Sequence, residues 1–349
     1  MNAALRPLAT LRLLPALRLL AVLGLAALCA LAPPDVGAQQ AEPQHVMRLG
    51  SLMPRNAVGR RGMARWNRML AEATDGRLQV RMYWGGSMGD ERTMVRRMRI
   101  GSLDAASLTS TGLSIIHRPV LVMQAPGIFS SYAQVDAVRR EIGPEMARAL
   151  EGQGYGLLGW GDAGRVRLFS KEPLRRPTDL RRMRPWVPRT DAVFRQMLSV
   201  VGANGVPLGV GEVFGGLRTG MIDVAPGTAL AVAGLQWFTS LSYATAQSDG
   251  FLIGGMVVRR PFLDQLSAED RAALFEIAEQ NHERLLRQTR RADERAFQAL
   301  TRHGIQPVDV EAHRGEWQRV ADQTRQQLAG RVFPRELLTR VEAIAARTR

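Results

Sequence analysis

The sequence predicts an α/β fold of two lobes, with mainly parallel sheets, hinge strands between the lobes and a long lobe-spanning helix. Three observations predict it. Between His45 and Leu108, alternating and helically spaced apolar residues succeed one another as strand, helix, strand, helix, strand, the order of βαβ crossovers. A similar order returns between Met183 and Thr219, after a strand at Gly154–Trp160 that leaves the first unit. From Ser267 the chain reads as helix to about His303, roughly 50 Å at 1.5 Å per residue, too long for one small lobe.

The first 38 residues read as an export signal. Arg6, Arg12 and Arg18 make a positive start, Leu19 to Leu31 an apolar centre, and Val36-Gly37-Ala38 a small-residue cleavage pattern. The apolar run of about 13 residues is short of the about 20 that a spanning helix needs. The only cysteine, Cys29, falls inside this segment, so the exported chain is expected to have no disulfide and no thiol chemistry. A formal charge of +15 raises the nucleic-acid question. The positive residues are almost all arginine, with Lys171 the sole lysine, and they are scattered among acids. Export also separates the chain from cytoplasmic nucleic acid, so no nucleic-acid partner is expected.

In order, His45–Gly50 alternates as a first strand, and Arg60–Ala73 carries Met63, Trp66, Met69 and Leu70 at helical spacing. Leu78–Trp84 is a second strand, Asp90–Ile100 a helix and Leu103–Leu108 a third strand. Ala133–Gln153 is an amphipathic helix; Gly154–Trp160 and Val166–Ser170 follow as strands. Met183–Val187 is a strand, with helices at Asp191–Val201 and Glu212–Thr219. Asp249–Arg259 reads as a buried return strand, and Ser267, with Asp270 three residues on, caps the long helix. The expected organisation is a signal at 1–38, lobe I at 39–160, lobe II at 161–248 and a return to lobe I at 249–266. Residues 267–349 then supply the long helix and C-terminal helices packing across both lobes.

Gly85-Gly-Ser87-Met-Gly89 matches the G-x-S-x-G nucleophile elbow between a strand and a helix. Asp223 and His282 or His303 would have to complete a serine hydrolase. Against it, Ser87 follows only the second strand and no oxyanion loop precedes it; a glycine-rich turn explains the residues as well. His45, His117, His282, His303 and His313 are dispersed, which argues against a metal site. No phosphate or dinucleotide fingerprint follows a strand, so no cofactor is expected. Glu212 reads as a first-turn acid favoured by the helix dipole. Binding is favoured over catalysis, and the chain is expected not to be an enzyme.

Trp186 falls where the strand Met183–Val187 is expected to end, and ligands in open α/β sheets bind outside the carboxyl ends of strands. Trp186 therefore reads as ligand-facing. Trp84, Trp160 and Trp237 also lie near expected strand ends or interlobe segments, where aromatic area can bury and orient a ligand.

Several segments resemble the solute-binding subunits of TRAP transporters, the DctP type. They are Tyr83-Trp-Gly-Gly-Ser-Met-Gly-Asp-Glu91, Met98-Arg-Ile-Gly-Ser-Leu-Asp-Ala105, Pro177-Thr-Asp-Leu-Arg181 and Val201-Gly-Ala-Asn-Gly-Val-Pro-Leu208. The most specific is Gly211-Glu-Val-Phe-Gly-Gly-Leu-Arg-Thr-Gly-Met-Ile-Asp223. The resemblance covers about 45 to 345 and implies a two-lobed periplasmic binding protein that hands a small organic ligand to TRAP membrane permease subunits. Typical members carry an arginine before Val187-Pro188 that pairs with a ligand carboxylate, a task suited to the planar guanidinium. Here that position is Trp186, with Arg184 displaced along the strand by about 6–7 Å. Pro226 and Thr228 stand where relatives carry an asparagine. A branch with tryptophan in this strand and a Pro226–Phe238-like segment is associated with TPR-containing partner proteins and hydrophobic ligands. The resemblance thus implies a periplasmic receptor for an apolar or amphipathic monoacid, with Trp186, Trp84, Trp160, Trp237, Pro226 and Thr228 at the site. Arg167, near the family's second basic position, would neutralise its carboxylate. The alternative within the family is a conventional carboxylate held by Arg184 or Arg167.

Overall fold

The computed structural model describes residues 43–348, Asn56 and Asp249 excepted, so the expected export signal lies outside the described residues. Lobe I begins with β1 (His45–Ser51), α1 (Ala57–Ala73), β2 (Leu78–Tyr83), α2 (Glu91–Arg99) and β3 (Ala105–Thr109). β1 lies between β2 and β3 and parallel to both, with Leu49 opposite Met82 and Ala105. In β2, Leu78 and Val80 are buried while Gln79 and Arg81 are exposed, the period-two pattern of a strand with one covered face. Asp90 caps α2 by accepting from the Thr93 N–H at 2.8 Å. Ser131 does the same for α3 (Tyr132–Gly152), accepting from Gln134 N–H.

The lobes are joined by β4 (Tyr155–Ser170), a single strand where two had been expected. Its first part runs antiparallel to β9 (Gly250–Arg259), which in turn pairs with β3. Its last residues pair with β7 (Val224–Thr228) and β8 (Tyr243–Thr245). The glycines between Gly154 and Val166 are absorbed by register shifts at Leu157/Gly159 and Asp162/Gly164, as β-bulges allow.

Lobe II adds β5 (Trp186–Pro188), α4 (Ala192–Val201), β6 (Val206–Leu208), α5 (Val210–Thr219) and α6 (Ala229–Gly234). β5 and β6 are parallel, and a bridge from Pro185 to Val224 sets β5 beside β7. The expected strand start at Met183 is corrected. Pro177–Arg182 forms a 3-10 turn, anchored by Asp179 accepting from the N–H groups of Arg175 and Arg176, and Trp186 opens the strand instead of closing it. β10 (Gln306–Val308) pairs parallel to β8.

Lobe I has a core on each face of its sheet, one containing Met94, Met98 and Ile142, the other Trp66, Leu70 and Phe262. Adjacent residues of β4, Leu168 and Phe169, enter opposite cores of lobe II. The long helix α7 (Ala268–Arg302) starts at Ser267, which accepts from Asp270 N–H at 3.0 Å. Its Leu274, Ile277 and Ala278 belong to a lobe I core, its Leu300 to a lobe II core. Two final helices, α8 (Arg314–Leu328) and α9 (Arg335–Arg347), follow. Trp317 of α8 packs on lobe II, and the α9 carbonyl of Ala345 accepts from Gln134 Nε2 of lobe I at 3.0 Å.

Candidate functional site: an arginine-free cleft

A cavity of about 300 Å³ lies between the lobes. Lobe I supplies the segment after β1, including Met53 and Pro54, and Leu108, Thr109 and Thr111 around the end of β3. Lobe II supplies Trp186, Pro188, Pro226, Thr228, Leu230 and Trp237. Leu285, Leu286 and Thr289 of α7 line it as well. It is thus bordered by the carboxyl ends of β1, β3, β5 and β7, where an open α/β architecture leaves room for a ligand.

Trp186 is only 5% exposed. Its Nε1 donates to the Leu208 carbonyl at 2.9 Å, and its ring meets Trp237 edge-on, with centroids 5.3 Å apart. The two indoles therefore form a fixed apolar wall, with the Trp186 donor already used. Gly227 lies under Trp237: a Cβ there would sit 3.6 Å from the ring. Thr228 is the N-cap of α6, its hydroxyl accepting from the Ala231 N–H at 3.2 Å.

The charged residues of the lining are acids. Glu91, the first residue of α2, accepts from Thr109 N–H at 2.5 Å and from its hydroxyl at 3.0 Å. Burial pushes the Glu91 carboxyl up to about 7, with the two Thr109 hydrogen bonds opposing and Asp191 adding to the rise. Gly112 makes room for it, since a Cβ there would be 2.7 Å from the carboxyl. Asp191 caps α4 through the Val193 and Phe194 N–H groups, both at 2.9 Å, and burial pushes its carboxyl up too. Asp162 is neutralised from behind by Arg290 at 2.7 Å and Arg139 at 3.2 Å. His282 is held neutral: burial lowers it to about 4, and Arg139 and Arg290 push the same way. Among the described residues lining the cleft there is no arginine or lysine.

Of the residues expected at the site, Trp186, Trp237, Pro226 and Thr228 come together here. Trp84 lines a smaller neighbouring cavity of about 70 Å³ that shares His282 and Leu285 with the cleft. Trp160 is placed in the lobe I core instead, where a Cβ on Gly143 would be 2.9 Å from its Nε1. Arg184 is turned outward and paired with Asp223 at 3.0 Å. Arg167 lies on the opposite side of β4, its guanidinium 3.8 Å from the centroid of Phe297, while Val166 meets the cleft. The bulges in β4 set which face Arg165 and Arg167 take, and no sequence pattern announces them. Nothing in the sequence marks Glu91, Asp162 and Asp191 as cleft residues, although Glu91 ends the Tyr83–Glu91 segment and Asp191 starts a predicted helix.

The hydrolase constellation is not assembled. Ser87 is exposed in a turn whose Gly85, Gly86 and Gly89 have φ of 62°, 74° and 91°. Asp223 is engaged with Arg184, His303 is exposed and His282 borders the cleft. Among the described residues no hydrogen bond joins Ser87 to either histidine.

Comparison with known proteins adds the family. A family model described as bacterial extracellular solute-binding protein, family 7 (DctP), matches residues 49–330. A solute-binding protein of Chromohalobacter salexigens is 28% identical over 215 residues, which is 60% of this chain and 63% of the relative, less than two thirds of its length. A TRAP periplasmic solute binding protein from Chromohalobacter salexigens, solved with bound d-glucuronate, is 23% identical with a TM-score of 0.77, covering 85% of this chain and 99% of that one. The sugar acid binding protein DctPAm from Advenella mimigardefordensis, in complex with galactonate, is 16% identical with a TM-score of 0.82, covering 88% and 99%.

Proposed function

The chain belongs to bacterial extracellular solute-binding protein family 7, and from that premise we propose that it is a periplasmic receptor closing on a small, largely apolar monoacid. It delivers that ligand to a TRAP membrane permease, with a TPR-containing periplasmic protein as a further partner. Closure is a hinge motion about β4, β9 and α7, stabilised by ligand contacts to both lobes. The similar structures hold glucuronate and galactonate, and a small organic acid is the class shared with them.

The apolar reading rests on one observation: the cleft has two packed indoles for a wall and, among the described residues, no arginine or lysine in its lining. A hydroxyl-rich acid would lose hydration against the apolar surface of Trp186, Trp237, Leu230 and Leu286. A single carboxylate can share the proton held by Glu91, whose carboxyl is near 7. Gln124 also borders the cleft, and its Oε1 is buried with no hydrogen-bond partner.

Mass spectrometry of small molecules released from receptor purified from the periplasm tests the proposal. A monoacid with few hydroxyls is expected, and Ala231→Trp, which fills the cleft, should weaken its rebinding by at least about tenfold. Release of a polyhydroxylated acid would overturn the apolar reading.

A further inference from the structure

On the other side of β4 the structure holds a larger interlobe cavity of about 760 Å³. Lobe I contributes Phe129 and Ser130, lobe II contributes Gln247 and Ser248, and α8 contributes Arg314 and Trp317. Arg165 and Arg167, two residues apart on β4, both line it. Arg167 is 5% exposed, and its Nε and one terminal nitrogen are buried without a hydrogen-bond partner. Among the described residues neither arginine makes an ion pair. Aromatic rings hold them in place: Arg165 lies 5.1 Å from the centroid of Tyr132 and 5.0 Å from that of Phe251, and Arg167 rests on Phe297. Rings orient a guanidinium but do not neutralise it.

The nearby acid does not supply the missing partner. Both oxygens of Asp293 are occupied, one by Arg165 N–H and one by Leu230 N–H, each at 2.9 Å. With Glu311, which pairs with Arg314 at 2.9 Å, the lining carries three guanidiniums against one carboxylate. Asp293 and Glu294 offset part of the Arg167 charge, but its two buried nitrogens stay without an acceptor, which is costly, and a bound anion supplies one.

We propose that this cavity is a second ligand site, distinct from the cleft, for a small organic dianion whose acidic groups are held by Arg165 and Arg167. Residues two apart on a strand are about 6–7 Å apart, a separation suited to two carboxylates on a short carbon chain. Inorganic phosphate alone would leave most of 760 Å³ empty, and Ile128, Phe129 and Met197 provide surface for a carbon skeleton. Because both lobes contribute to the wall, occupation favours their present arrangement.

Calorimetric titration of the purified chain with glutarate at low ionic strength tests this. Saturable binding is expected, weakened at least about tenfold by Arg165→Gln or Arg167→Gln and unchanged by Ala231→Trp, which fills the cleft. Glutarate should raise the melting temperature of the parent but not of Arg167→Gln. Arg314→Gln alters an exposed side chain already paired with Glu311 and gives a folded comparison; its affinity should fall less than that of Arg167→Gln. Absence of saturable binding, unchanged affinity in Arg165→Gln or Arg167→Gln, or loss of binding in Ala231→Trp would each overturn the proposal.

Discussion

Glu91 shows how one side chain can tie the cleft to pH. It is buried, and its carboxyl is pushed from 4.5 up to about 7, chiefly by desolvation. Between those values the folded chain holds a proton that the unfolded chain has released, so stability falls as pH rises through the window. Glu91→Gln removes the ionisation while keeping an oxygen that can accept from Thr109 N–H. Thermal melts of both proteins should differ little near pH 4.5, with the variant gaining on the parent up to pH 7 and keeping its advantage above it. A parent–variant difference independent of pH would show that Glu91 does not titrate there. At this scale the sequence was partly legible. Trp186 and Trp237 could be placed because bulky aromatics near strand ends have few places to go, and Pro226 and Thr228 because the family resemblance implies a site there. The orientation of Arg167 could not, because a one-residue register change turns a strand side chain to the other face, and Arg184 precedes β5, where no strand alternation fixes its direction.

Among elements, β4 is the decisive one. The sequence shows glycines where a strand might end; the structure shows that Gly164 keeps the strand continuous. Its φ is 122°, and a Cβ there would lie 2.3 Å from the Asp293 carboxyl carbon. Gly164→Ala would therefore strain the backbone and displace the carboxylate that holds Arg165 and Leu230 N–H. A loss of about 2–4 kcal/mol in urea unfolding is expected. Gly152→Ala is the contrasting case, at the last residue of α3 with nothing within 4 Å of the added Cβ, and it should be neutral or stabilising by up to about 1 kcal/mol. Long periodic segments such as α3 and α7 were legible to within a few residues. The short strands β8 and β10 were not, because three residues carry too little alternation to stand out.

For the whole molecule, one turn of α7 connects the lobes. Arg290 joins Asp162 of β4 at 2.7 Å and Asp136 of α3 at 2.6 Å. Three residues later, Asp293 accepts from the N–H of Leu230 in α6, in lobe II. The length of this helix was readable from its pattern; its clamping residues were not, since arginine and aspartate on a helix usually face water. The Asp162 side chain is fully buried and already lacks a partner for Oδ1. Arg290→Met would leave Arg139 alone to offset that carboxylate, and a loss of about 3–5 kcal/mol is expected because a buried charge loses its main partner. Asp136 is partly exposed, so Asp136→Asn should cost less. Measured as a double-mutant cycle in urea, the two substitutions should couple by about 0.5–3 kcal/mol, since both act through one guanidinium. Strict additivity would mean that the Arg290–Asp136 pair contributes nothing to stability beyond the separate roles of the two side chains. Coupling accompanied by weaker ligand binding in the cleft would instead identify this turn as the element that sets how readily the lobes close.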